Sequence, residues 1–168
     1  MCRNHLLVRI QIMSLFSAPS NRQINTGLTV LRIIAGTIFV AHGWQKLFVF
    51  GLDGVTGGFA QLGIPMPELL GPLVAFLELF GGLALIAGVL TRLAAAGLAF
   101  NMLVATLQVH LKNGFFNPTG IEFTLSLLGS SIFLALSGAG AWSMDALIGR
   151  KTKVTVHEEQ KSKIRRAA

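Results

Sequence analysis

Ionisable side chains lie within stretches of the sequence that are otherwise apolar enough to cross a membrane, and five of them are candidates for a common polar site. The first stretch, LRIIAGTIFVAHGWQKLFVF, carries a guanidinium, an imidazole and an ammonium group. A charge at the centre of a bilayer costs about 2.5–3.5 kcal/mol on insertion scales, so such groups usually face other helices and find partners there. They can donate hydrogen bonds to a ligand, orient those donors or relay protons. The five residues are Arg32, His42, Lys46, Glu78 and Glu122.

The composition of the chain indicates that these residues belong to a membrane protein. Of the 168 residues, 52% are hydrophobic and only 12% are charged. Soluble domains are about one quarter charged. A soluble fold of this length would have no means of hiding so much apolar surface, so the membrane class follows.

The apolar residues are grouped into four segments, each near the ~20 residues that a helix needs to cross a bilayer. The sequence therefore predicts an all-α, four-transmembrane-helix bundle. The glycine-rich stretch GLDGVTGG is interpreted as a loop between the first two spans. The predicted spans are about 27–50, 69–90, 93–111 and 121–137, in a membrane domain of residues 27–148 between an N-terminal lead-in (1–26) and a basic tail (149–168).

The distribution of positive charge predicts the orientation. Seven of the fourteen lysines and arginines occur from Arg150 onward, and three precede the first span. Basic residues flanking spans favour the cytoplasmic side, which places both termini in the cytoplasm of a multi-pass inner-membrane protein. Because the charge flanks spans, the expected partner is the lipid bilayer and not nucleic acid. Residues 1–12 are interpreted as an over-extended start or a tail.

Depth in the membrane suggests which polar residues meet. Counting ~1.5 Å per residue along each span, His42 is level with Glu78 and Lys46 is level with Glu122. Arg32 can extend toward Asn101 or toward Glu78. Arg32 is expected to be structural. Two interpretations stay open: pairs that only fix helix register, or a site for a small molecule, a quinone head group or a proton. The candidate site residues, expected to converge in the outer half of the bundle, are His42, Lys46, Glu78, Glu122, Asn101 and Gln108.

Metal binding, disulfide chemistry and the common catalytic motifs lack support in the sequence, and no catalytic residue is assigned. His42 and His110, with Glu122, are the only set that suggests haem or metal, but their spacing is not that of ligands, so no metal site is predicted. Cys2 is the single cysteine and cannot form an internal disulfide. No nucleophile elbow, zinc-protease motif or phosphate-binding loop is present.

Several of these segments together resemble the DoxX family of small bacterial integral membrane proteins. They are LRIIAGTIFVAHGWQKL, GIPMP, ELFGGLALIAGVLTRLAA, a glutamate that opens the last span, and GAGAWSMD. The resemblance covers about residues 28–147. It implies a link to quinone-dependent sulfur oxidation or to redox homeostasis, in assemblies with thiol- and superoxide-handling enzymes. The family-like polar residues are Arg32, His42, Lys46, Glu78 and Glu122.

The leading hypothesis is a membrane subunit of a redox assembly, an accessory to an oxidoreductase, that holds a quinone or another small polar ligand. The resemblance implies that the partners are redox proteins. Direct thiol–disulfide chemistry is not expected, because Cys2 is alone and outside the matching region. Two alternatives remain: a scaffold whose basic tail gathers a cytoplasmic partner or anionic lipid, and a transporter of a small solute or proton. The glycine-rich helix faces would also suit a homo-oligomer.

Overall fold

The computed structural model describes residues 18–149, which contain helices and no β-strand. Three helical stretches are long and apolar enough to cross a membrane, and a fourth apolar helix is shorter. The prediction of an all-α membrane fold is therefore confirmed, whereas the orientation of the termini stays a prediction. Residues 1–12, which are interpreted as an over-extended start or a tail, lie outside the described residues. So does almost all of the basic tail.

The helices follow one another with short connections, and two of them end in wider π-helical turns. Helix α1 (Asn21–Trp44) continues as a π-helix (Gln45–Phe50), and α2 (Gly51–Gln61) follows it. Helix α3 is Pro67–Ala87. Helix α4 (Thr91–Val104) continues as a π-helix (Ala105–His110) and a 3₁₀ turn (Leu111–Asn113). Helix α5 is Glu122–Ser137, and a short helical segment covers 144–149.

The first helix begins six residues before the predicted span, because its start is set by a capping box and not by hydrophobicity. The Ser20 hydroxyl accepts a hydrogen bond from the Gln23 backbone N–H at 3.3 Å, and the Gln23 side chain accepts one from the Ser20 N–H at 2.8 Å. This arrangement satisfies backbone donors that the first helical turn leaves unpaired. The polar first turns of α1 therefore extend beyond its apolar part.

The interpretation of GLDGVTGG as a loop is wrong, since these residues begin α2. Gly51 adopts φ 70° and ψ 164°, a conformation that suits glycine and interrupts the preceding π-helix. Val55 is buried, and an added Cβ at Gly71 of α3 would lie 3.4 Å from the Thr56 backbone. Packing against α3 thus compensates for the low helix propensity of four glycines.

Close contact between α1 and α3 sets the position of the polar residues. A Cβ added at Gly36 would lie 2.7 Å from the Gly82 carbonyl oxygen, and one added at Gly82 would lie 2.8 Å from the Val40 nitrogen. A Cβ at Gly43 would overlap the backbone of Leu79. Glycines at these three positions let the two helix backbones approach each other, as small residues do in membrane helix pairs.

The bundle consists of two closely packed helix pairs. Helix α1 packs along α3, and α4 packs along α5, whereas α1 and α5 make few contacts. Between the pairs lies one apolar core, to which all four spanning helices contribute. Its buried members are Leu28, Phe39, Leu85, Ala95, Leu98, Met102, Leu127 and Leu134.

Candidate functional site: a buried ion pair between the helices

The centre of the polar site is an ion pair between α3 and the π-helix that continues α1. The Lys46 ammonium donates to Glu78 Oε2. The Glu78 side chain is 5% exposed and the Lys46 side chain is 20% exposed, so the carboxylate is enclosed while the ammonium keeps some access to its surroundings. The sequence predicts Glu122 as the partner of Lys46, and this prediction is wrong, because Lys46 pairs with Glu78. The carboxylates of Glu78 and Glu122 do not belong to one cluster.

A third helix completes the coordination of the carboxylate. Asn101 of α4 donates from Nδ2 to Glu78 Oε1 at 2.9 Å. Each oxygen of Glu78 therefore has its own donor, one charged and one neutral, from two different helices. Such pairing is what allows a charge to persist away from water.

The ion pair lies near the middle of the membrane-spanning region. Glu78 is close to the centre of α3, about 15 Å from either end at 1.5 Å per residue. The expected convergence of the polar residues in the outer half of the bundle stays a prediction. At this depth an ion pair is costly to desolvate and is a functional-site hypothesis in its own right.

His42 lies beside the ion pair but does not bond to it. Its ring packs against the Phe123 ring of α5, with centroids 5.7 Å apart and planes inclined by 45°. The charges of Lys46 and Glu78 both act on the ring electrostatically. His42 is exposed, and no hydrogen bond reaches its nitrogens from residues 18–149. The predicted pairing of His42 with Glu78 is therefore wrong.

Two other candidates lie elsewhere. Glu122 accepts a hydrogen bond at Oε1 from the Asn117 N–H at 2.9 Å, so it closes the loop that precedes α5. Its charge in the first turn of α5 also favours the helix dipole. Gln108 is exposed in the π-helical part of α4, two helical turns beyond Asn101. The structure brings neither residue to the ion pair.

No metal site is visible in the described part of the chain. Among residues 18–149, no three His, Cys, Asp or Glu side chains come together in a group suited to a metal ion. His110 contacts the Thr119 carbonyl oxygen through Nδ1 at 2.8 Å. This contact belongs to the loop between α4 and α5.

Arg32 is held at the opposite end of the bundle, by the segment that follows α5. Its guanidinium donates to the carbonyl oxygens of Ala139 at 3.2 Å and Trp142 at 2.9 Å, and the residue is 3% exposed. The expected contact with Asn101 or Glu78 is therefore wrong. Arg32 instead anchors residues 138–149 against the helices.

Asp145 secures the same segment to the start of α4. Its two carboxylate oxygens accept hydrogen bonds from the backbone N–H groups of Leu90 at 2.8 Å and Thr91 at 3.0 Å. Burial raises the pKa of Asp145, but the hydrogen bonds from Thr91 and Leu90 and the positive charge of Arg32 outweigh it and leave the pKa below its ordinary value. The residue thus caps α4 from a distant part of the chain.

Acid is expected to weaken this cap. Because the pKa of Asp145 is depressed in the folded protein, its contribution to stability is complete above about pH 4 and disappears as the pH falls through the folded pKa. Asp145→Asn should lower the free energy of unfolding by about 1 kcal/mol at neutral pH, and the difference from wild type should shrink toward pH 3. Thermal unfolding in detergent at several pH values measures both; parallel curves for the two proteins would contradict the role of the carboxylate.

Sequence reasoning missed this end of the molecule, although one signal was available. A buried arginine near the beginning of the first span requires acceptors, and GAGAWSMD offers an aspartate and glycine-rich backbone at the same end of the bundle. Asn25 contributes as well, since its Oδ1 accepts a hydrogen bond from the Ala141 N–H at 2.7 Å. These contacts join α1, α4 and the segment after α5.

Comparisons with known proteins agree with this architecture. A family model described as DoxX matches residues 27–111. The chain is 32% identical to "Putative oxidoreductase CatD" of Bacillus subtilis, over 79% of this chain and 95% of that protein. It is 35% identical to "Inner membrane protein YqjF" of Escherichia coli, over 76% of this chain and 95% of that protein. A membrane protein of Mycobacterium tuberculosis is 30% identical over 72% of this chain and 80% of its own length. No solved structure matches.

Proposed function

Because the chain belongs to the DoxX family, we propose that its buried ion pair, with His42 beside it, holds the head group of a quinone or a similar carbonyl-bearing ligand within the bundle. The chain is a multi-pass protein of the bacterial inner membrane. The bilayer that surrounds it is also the phase in which lipid-soluble quinones are dissolved. The proposal therefore places ligand and site in the same phase.

The observation that carries the proposal is the set of unused donors beside the ion pair. An ammonium group has three N–H donors, and Glu78 is the one partner that Lys46 has among the described residues. The His42 ring adds a nitrogen without a partner there. A carbonyl oxygen between these two groups would satisfy both, whereas acyl chains satisfy neither.

The remaining residues have supporting roles in this proposal. Glu78 directs the Lys46 ammonium, and Asn101 fixes the carboxylate from the other side. Such an arrangement is pre-organised to stabilise negative charge on a ligand oxygen, as electrostatic sites in enzymes are. A quinone would supply the electron-accepting ring, and the protein would supply hydrogen bonds and protection from water.

A role in a redox assembly is the broader part of the proposal. One relative is named a putative oxidoreductase, which supports a redox function for this chain. The groups beside the ion pair can bind and orient a ligand. We infer a ligand-holding membrane subunit that works together with a redox protein.

Ligand binding by purified protein tests the proposal. In lipid nanodiscs, titration with decyl-ubiquinone should show saturable binding, and Glu78→Gln should weaken it by at least about tenfold, which is 1.4 kcal/mol. Glu68→Gln is the matched control, because it makes the same change at an exposed position in the first turn of the same helix. Absence of saturable binding, or equal affinity of the two variants, would refute the proposal.

A further inference from the structure

The four spanning helices do not enclose the ion pair equally on all sides. Between α1 and α3, glycines bring the backbones together, and the backbone of Leu79 fills the space beside Gly43. On the α4 side, Asn101 covers the second oxygen of Glu78. These two sides are closed by backbone contact and by a hydrogen bond.

The side between α1 and α5 is different. These two helices make few contacts with each other, because each packs along another partner. We call the boundary between α1 and α5 beside the ion pair the seam. The rings of His42 and Phe123 are in contact across it. Phe123 is 38% exposed, so part of its side chain meets the surroundings of the bundle.

His42 makes this seam unusual for a lipid-facing surface. An imidazole without a hydrogen-bond partner among the described residues is exposed one helical turn before Lys46, at membrane depth. Polar groups in this position normally turn to the bundle or find a partner, since acyl chains leave them unsatisfied. A ligand that passes through the seam would be the partner.

We propose that the ligand enters the site sideways from the bilayer, between α1 and α5, with Phe123 as the side chain that must move to admit it. This inference rests on the proposed function, and it narrows the ligand class. The ligand is a membrane-dissolved molecule with a planar carbonyl-bearing ring and an apolar tail. The ring reaches His42 and Lys46, and the tail stays in the seam among acyl chains.

Binding kinetics test the route separately from binding itself. For wild-type protein in nanodiscs, decyl-ubiquinone binding is followed by quenching of tryptophan fluorescence, to which Trp44, two residues from His42, contributes. Phe123→Ala should raise both the association and the dissociation rate by about fivefold or more, with a change in Kd of less than about threefold. Phe133→Ala is the matched control, because Phe133 is an exposed phenylalanine on the same helix without a ring partner among residues 18–149.

The outcomes distinguish the two proposals. If wild type binds the quinone and Phe123→Ala has the same rates as Phe133→Ala, the route through the seam is wrong and the proposed function stands. If wild type shows no saturable binding, both proposals fail. Phe123→Leu provides a milder change should the alanine variant lose its fold, and it should raise the rates in the same direction by a smaller factor.

Discussion

Lys46→Met and Glu78→Met should each lower the free energy of unfolding by about 3–5 kcal/mol, because each leaves the other charge buried without its partner. The glutamate is the more enclosed of the two, so Lys46→Met should have the larger effect. The loss is measurable by unfolding in mixed micelles with increasing denaturing detergent. Among single substitutions of polar residues within the spans, Lys46→Met should cause the largest decrease in the free energy of unfolding.

Substitution of exposed charges provides the control for this prediction. Lys112→Met and Glu68→Gln alter residues that are exposed at the ends of their helical stretches, and each should change stability by less than about 0.5 kcal/mol. Should Lys46→Met and Glu78→Met fall in the same narrow range, the two charges would not be buried in the bundle.

Gly88→Ala should destabilise the protein by at least about 3 kcal/mol, for two separate reasons. Gly88 ends α3 with φ 68°, where any Cβ is strained. A Cβ there would also overlap the Arg32 guanidinium and lie 2.6 Å from Ser143 Cβ. Arg32 would then lose its hydrogen bonds to Ala139 and Trp142, and a buried cation would be left without acceptors.

Gly63→Ala separates the two causes. Gly63 has φ 72°, so it has the same backbone strain, but an added Cβ would meet no atom within 4 Å. This variant should therefore lose only about 1–2 kcal/mol, the cost of the left-handed conformation. Equal losses for Gly63→Ala and Gly88→Ala would show that the Arg32 contact contributes nothing.

The fold was largely predictable from the sequence because hydrophobicity decides which segments enter a membrane. The exceptions are features set by other interactions. The start of α1 depends on the Ser20 capping box, and α2 depends on packing of Val55 and Thr56 against α3. Neither contact can be predicted from the spacing of apolar residues, and the glycines of α2 locally favour a loop.

The sequence predicts which residues belong to the candidate site, but it does not predict which of them contact each other. Charge inside an apolar span is visible in sequence, and it singled out Lys46 and Glu78 as well as Arg32. Partner choice depends on how the helices shift along one another. That shift is set by the close approach at Gly36, Gly43 and Gly82, and it brings Lys46 level with Glu78. Depth counting along straight helices does not contain this information.

The central claim is that Lys46 and Glu78 interact directly inside the bilayer, and the double variant Lys46→Met/Glu78→Met measures that interaction. With both charges gone, no unpaired group remains, so the double variant should be far more stable than the sum of the single losses implies. The account predicts a coupling free energy of about 3 kcal/mol from the double-mutant cycle. Additive losses, with a coupling free energy near zero, would contradict it.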